Sequence, residues 1–139
     1  MTRQTAFLVL LGSLLASVPA HAIEIFKGGN RAARKVTCVY DGDGIWIKGV
    51  KMRLKDIDAP EIQHHECARE LQLGIRARDR LAQLMNGGFD VDYTRKKGFY
   101  GSELVYVILR DGRDAGQVLI SEGLAQRWPN TGNVWCGRK

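Results

Sequence analysis

Between Val50 and Lys55 the chain alternates strictly, with Val50, Met52 and Leu54 apolar and Lys51, Arg53 and Lys55 basic, before Asp58-Ala59-Pro60 cuts the run. Strand side chains point to opposite faces with period two, so this segment reads as a strand with one face in a core and a basic face outside. Pro60 fixes its own φ and restricts Ala59 before it, which ends the strand there. The rest of the chain supplies neighbours. Val36, Thr37, Val39 and Tyr40 suggest a strand over 35–40 that stops at the turn Asp41-Gly42-Asp43-Gly44, and Ile45-Trp46-Ile47 follows as the next. Phe89, Val91 and Tyr93 alternate with Asp90, Asp92 and Thr94, and Leu104 to Arg110 reads as a fifth strand. Leu73, Ala77, Leu81 and Leu84 recur at helical spacing, predicting a helix over 68–86 that Gly87-Gly88 terminates. A second, short helix over 115–122 is capped by Asp114 and ended by Gly123. Three strands, a long helix and two more strands match the order of a five-stranded OB barrel, an α+β fold around one core.

The remaining segments read as irregular. Residues 23–34 form a loose leader ahead of a domain over 35–139, Arg95 to Ser102 a basic loop, and the chain from Trp128 onward a tail whose Trp128 and Trp135 cover the barrel end. Met1-Thr2-Arg3, the apolar run Ala6 to Val18 and Ala20-His21-Ala22 have the pattern of a secretory signal over residues 1–22, the run being shorter than the roughly 20 residues that cross a bilayer. Export to the periplasm or the medium is therefore expected, with no membrane attachment after cleavage and a monomeric product. In an oxidising compartment the three cysteines permit one bridge. Cys38 sits in a strand whereas Cys67 and Cys136 lie in irregular segments, which favours Cys67 with Cys136. No CxxC is present, against a zinc site or a redox pair.

With 21 basic and 15 acidic residues the chain carries a formal charge of +6, which points to anionic partners. Against that background, Asp41-Gly-Asp43 and Asp56-Ile-Asp58-Ala-Pro-Glu61 bring five carboxylates to two strand ends. Such crowding is unfavourable unless a cation or a basic side chain compensates it. Oxygen ligands without cysteine or paired histidine favour calcium or magnesium over zinc or copper. Taken alone, Asp-Gly-Asp is a common turn, and His64 and His65, being adjacent, read as surface loop. No phosphate-cradling glycine loop, nucleophile triad or dinucleotide fingerprint is visible.

Val39-Tyr40-Asp41-Gly42-Asp43 followed by Arg53-Leu54-Lys55-Asp56-Ile57-Asp58-Ala59-Pro60-Glu61 resembles the staphylococcal nuclease family, and the resemblance runs on through Gly74–Leu84, Tyr100-Gly101, Leu104–Val107 and Leu119–Ala125. It implies a secreted Ca²⁺-dependent phosphodiesterase that cuts DNA or RNA with little sequence preference. By the same resemblance, Asp43 and Asp58 would hold Ca²⁺ through their carboxylates and Ala59 through its carbonyl. Glu61 would position or deprotonate the attacking water, Arg53 would hold a phosphate oxygen, and Tyr100 would pack against a base or contact a phosphate. Independently of the resemblance, Lys96 and Lys97 in the basic loop are candidate substrate contacts.

Two departures stand out. Gly44 occupies a position where the family has threonine, losing a hydroxyl and a β-branched contact. Ser102 occupies the place of the second catalytic arginine, and a neutral hydroxyl cannot supply a bidentate guanidinium clamp. Arg95, Lys96 and Lys97 in the same loop are candidate substitutes. The competing expectation is a catalytically degenerate member of the fold that binds nucleic acid or another polyanion.

Overall fold

Apolar residues alternating at period two assemble into a six-stranded mixed sheet in the order β1-β2-β3-β4-β7-β6. The computed structural model describes residues 23–30 and 34–137; the expected export signal over 1–22 lies outside the described residues. The strands are β1 (Glu24–Ile25), β2 (Cys38–Asp41), β3 (Gly44–Ile47) and β4 (Val50–Leu54), then, after the two-residue β5 (Ile57–Asp58), β6 (Phe89–Lys97), β7 (Glu103–Leu109) and β8 (Gln126–Arg127). Helix α1 spans Ala68–Asn86 and α2 Ala115–Ser121. Strands β2, β3 and β4 form an antiparallel meander, β4 runs parallel to β7, and β7 pairs antiparallel with β6. This is the five-stranded OB arrangement expected from the sequence.

The expected alternation holds in β4 from Lys51 on, with Met52 and Leu54 buried, Lys51 exposed and Arg53 half-buried, whereas Val50 at the strand's start is exposed because it precedes the part of β4 covered by the core. Val39, Ile45, Met52, Leu54, Ile57, Val105 and Val107 meet Ala77, Leu81 and Met85 of α1 in one core. Each large side chain so buried contributes about 1.5–3 kcal/mol. Helix α1 has the bounds its periodicity predicts. Cys67 caps its start, its sulfur accepting from the Glu70 N–H, and Gly88 at φ +99° lets the chain leave the last turn. Asp114 caps α2 by accepting from the Gly116 N–H at 2.8 Å. Among the described residues no helix is long and apolar enough to cross a membrane.

Three expectations need correction. The leader is not loose throughout, because Glu24 and Ile25 pair in parallel with Cys38 and Val39, and Ile23 and Ile25 pack on the core. Arg95–Lys97 are not loop: β6 continues through them, with a register shift between Tyr93 and Lys97 where Arg95 takes φ +60°. Thr94 spans that irregularity, its hydroxyl donating to the Leu104 carbonyl at 2.7 Å and accepting from the Lys96 N–H at 3.2 Å. The tail from Trp128 onward is irregular as expected, and the expected disulfide joins Cys67 to Cys136, while just ahead of it Gln126–Arg127 pair with Ile57–Asp58. Cys38 is buried in β2, outside that bridge. Trp135 is buried as expected, but Trp128 is 56% exposed and leaves the barrel end open.

Candidate active site

The two acidic segments meet because β3 and β4 are adjacent and α1 packs beneath both turns. The pairing of Gly44 with Arg53 sets the guanidinium beside the Asp41–Asp43 turn, and the Leu54 N–H donates to the Asp43 carbonyl at 2.8 Å. Gly42 faces Ala77 and Ala59 so closely that a β-carbon on it would stand 2.6 and 2.8 Å from theirs. On the same helix face, a β-carbon on Gly74 would stand 2.8 Å from the Pro60 carbonyl oxygen and 3.1 Å from that of Glu61. Small residues on α1 thus bring the backbones of both segments together.

Asp43 is buried. Its Oδ2 accepts from the Ala59 N–H at 2.9 Å and pairs with Arg53 Nη2 at 3.0 Å. The same Nη2 lies 3.7 Å from Asp58 Oδ1. Asp58 is aimed from its other side: Oδ2 accepts from Gln126 Nε2 and Asn130 Nδ2, both at 2.9 Å, two donors brought by the β5–β8 pairing. Arg53 therefore bridges the two aspartates expected to act together. Its guanidinium carries more N–H donors than these contacts use, and its side chain is 38% exposed to the cleft above.

One arginine does not neutralise the cluster. Burial, then the neighbouring Asp43 and Glu61 charges, push the Asp41 carboxyl well above its ordinary value. Asp43 is also raised by burial, opposed by Arg53 and the Ala59 N–H. Burial and the Asp43 charge also raise Glu61. Asp56, counted above with the other carboxylates, is drawn off: Tyr106 donates to its Oδ2 at 2.7 Å and Lys55 to its Oδ1 at 2.6 Å, and these contacts lower its pKa. An all-oxygen donor set with surplus negative charge is of the kind a hard cation favours. Among the described residues, no three His, Cys, Asp or Glu side chains stand ready as a complete ligand group.

A cleft of about 760 Å³ opens over this floor, lined by Arg53, Asp58 and Glu61 below and by Lys51 and Lys55 at one side. The β6–β7 turn and Trp128 form its rim. Phe99 and Tyr100 at that turn are 95% and 86% exposed, and their rings meet edge to face at 5.0 Å. Ser102 lines the same cleft but is buried, its carbonyl accepting from the Gly98 N–H at 2.8 Å. Lys97 also lines it, paired with Glu103, whereas Lys96 is exposed away from it and Arg95 stays on the outer strand. His64 and His65 are exposed, with His65 Nδ1 2.7 Å from the Ile62 carbonyl. At Gly44, the space that a threonine side chain would take holds the Tyr40 ring.

Sequence reasoning missed Glu70, Gln126, Asn130 and Asn133, whose side chains orient the acidic segments. Glu70 carried one readable signal: Cys67-Ala-Arg-Glu70 has the spacing of a capping box. The other three depend on pairings across more than sixty residues, which leave no local pattern.

An OB barrel carrying an aspartate–arginine floor beneath a basic and aromatic cleft is a nuclease-like domain. The chain belongs to the staphylococcal nuclease homologue family, whose model matches residues 51–133, more than half of its length and including Arg53, Asp58, Glu61 and Ser102. No curated protein matches it.

Proposed function

We propose that this chain is an exported Ca²⁺-dependent phosphodiesterase acting on DNA or RNA with low sequence specificity. The observation that carries the reading is that Arg53 bridges Asp43 and Asp58, at 3.0 and 3.7 Å, on the floor of a cleft that Glu61 also lines. Asp43 and Asp58, with the Ala59 carbonyl, are the groups to hold Ca²⁺, which when bound polarises the phosphoryl group and offsets charge on the diester. The surplus carboxylate charge at the floor supports a cation there.

Arg53 donates to a non-bridging phosphate oxygen and stabilises the charge that grows on it as phosphorus becomes five-coordinate. Glu61 takes a proton from the attacking water. The water oxygen bonds to phosphorus, one P–O ester bond breaks, and the leaving oxygen is protonated from solvent. Burial, by raising Glu61, makes it a stronger base. Lys51 and Lys55 attract the polyanion, and Phe99, Tyr100 and Trp128 offer faces on which unpaired bases stack.

A second reading, nucleic-acid binding with feeble turnover, is favoured by Ser102 in the place of an arginine. Hydrolysis of single-stranded DNA by the purified mature chain, with and without Ca²⁺ and beside Glu61→Gln, separates them. Calcium-dependent cleavage lost in Glu61→Gln is the expected result. Binding without cleavage establishes the second reading.

A further inference from the structure

Glu70 is a carboxylate in the first turn of α1, 3% exposed. Neutral N–H groups surround it. Its Oε1 accepts from the Glu61 main-chain N–H at 3.1 Å, and its Oε2 accepts from the Glu66 N–H at 2.7 Å and from Asn133 Nδ2 at 2.9 Å. Asn133 is oriented in turn, its Oδ1 accepting from the N–H groups of Trp135 at 2.8 Å and Cys136 at 3.3 Å, and Cys136 is bonded to Cys67, the residue that caps α1. One turn further along the same face, bare Gly74 lies against the Pro60 and Glu61 carbonyls. The Glu61 backbone is thus held at its nitrogen by Glu70 and supported at its carbonyl by Gly74.

Capping the helix does not account for this carboxylate, because Cys67 already serves as the cap. The Glu66 N–H just ahead of the helix is the kind of donor a capping glutamate satisfies, but Glu70 also reaches back nine residues to Glu61 and forward 63 to Asn133, which capping does not require. Both oxygens of this carboxyl group accept, and on them converge three N–H donors. A carboxamide of the same shape would turn an NH₂ toward at least one of them.

We propose that Glu70 is a positioning residue: it fixes the main chain of Glu61 from behind so that the Glu61 carboxylate stays aimed at the water it deprotonates, and the Cys67–Cys136 bridge keeps Asn133 in register for the same purpose. Its role rests on the reading of Glu61 as proton acceptor. Glu70 does not line the cleft and touches no substrate.

The test combines kinetics with a measurement that needs no turnover. In Glu70→Gln, kcat on single-stranded DNA is expected to fall about tenfold or more with KM unchanged, since small misplacement of a reacting group is costly and substrate contacts are intact. In a Glu61→Gln background the same change should cost nothing further. Adding Asn133→Asp, which offers an acceptor to the amide introduced by Glu70→Gln, should restore part of the loss. Gly74→Ala should lower kcat likewise, by pressing on the same backbone from its other side with the Glu70 bonds in place; it stands in if Glu70→Gln fails to fold.

Amide hydrogen exchange provides the independent arm. Exchange at Glu61 and Glu66 should quicken by about tenfold in Glu70→Gln while β7 amides keep their protection. A further kcat loss in the Glu61→Gln background, or unchanged exchange at Glu61 and Glu66, overturns the proposal. If the wild type cleaves nothing, the proposed function fails, and exchange alone still decides whether Glu70 holds this segment.

Discussion

The ring of Tyr40 stands where a side chain on residue 44 would begin: an ideal β-carbon at Gly44 would overlap the tyrosine's hydroxyl end and lie 2.5 Å from Asp41 Oδ1. Glycine here is therefore the counterpart of a tyrosine four residues earlier, and the missing threonine contact is filled by an aromatic ring. Gly44→Thr is expected to destabilise the fold by about 1–3 kcal/mol, the usual cost of overpacking. The cost should shrink when Tyr40→Ala is added. A four-protein cycle in urea measures the coupling, and additivity would refute the pairing.

The cluster around Asp41 gives a pH dependence of known sign. Its folded-state carboxyl is raised above 3.8, chiefly by burial, so its contribution is fully present below that value and is lost as pH rises through the raised value. Asp41→Asn stays neutral and escapes the loss. In calcium-free buffer at pH 7 the variant should melt roughly 2–5 °C above wild type, with the gap closing toward pH 3.8 and narrowing in millimolar Ca²⁺. Thermal melts across pH supply the check.

Ser102→Arg tests whether the family's second arginine is what activity lacks. The serine lines the same cleft as Arg53, beside Gly98, which has no side chain to obstruct a longer residue. Calcium-dependent cleavage should rise by at least about tenfold, a barrier change of roughly 1.4 kcal/mol. The gain should vanish when Arg53→Ala is added. Equal activity in wild type and variant would show that another cation already serves, although Lys97 is paired with Glu103.

The aromatic rim should select unpaired strands. Bases stacked inside a duplex are not available to Phe99, Tyr100 or Trp128, whereas stacking an unpaired base is worth about 1–3 kcal/mol. Phe99→Ala and Trp128→Ala are each expected to raise KM for a single-stranded oligonucleotide by at least about fivefold. Duplex of the same sequence should be cut more slowly. Steady-state kinetics on both substrates decide it, and equal rates would remove the rim from the binding site.

The parts of this fold that periodicity governs were legible. Helix α1 shows its Leu73, Ala77, Leu81 and Leu84 spacing and its glycine stop, and β4 shows its alternation. Arg53, Asp58 and Glu61 stood out because the strongest motif of the resemblance, Arg53–Glu61, holds all three within nine residues. What escaped was set at long range: a two-residue strand at Glu24–Ile25 stabilised by Cys38–Val39, and a second at Gln126–Arg127 stabilised by Ile57–Asp58. The basic run Arg95–Lys97 looked like a loop because charge suggests solvent, yet exposed strand residues face solvent too. Glu70 escaped because a glutamate near a helix start has an ordinary local explanation, and only the distant Asn133 and Glu61 reveal its other use.

The Cys67–Cys136 bond encloses α1, β6, β7 and α2 in a covalent ring that includes the protruding Phe99–Tyr100 turn. A protease that cuts this turn opens the ring without separating the pieces. The nicked protein should migrate as one band without reductant and as two with it. A cut in this exposed turn of the cleft rim leaves the floor residues Asp43, Arg53, Asp58 and Glu61 together on the N-terminal piece, with the C-terminal piece that carries Gln126, Asn130 and Asn133 tethered to it by the disulfide.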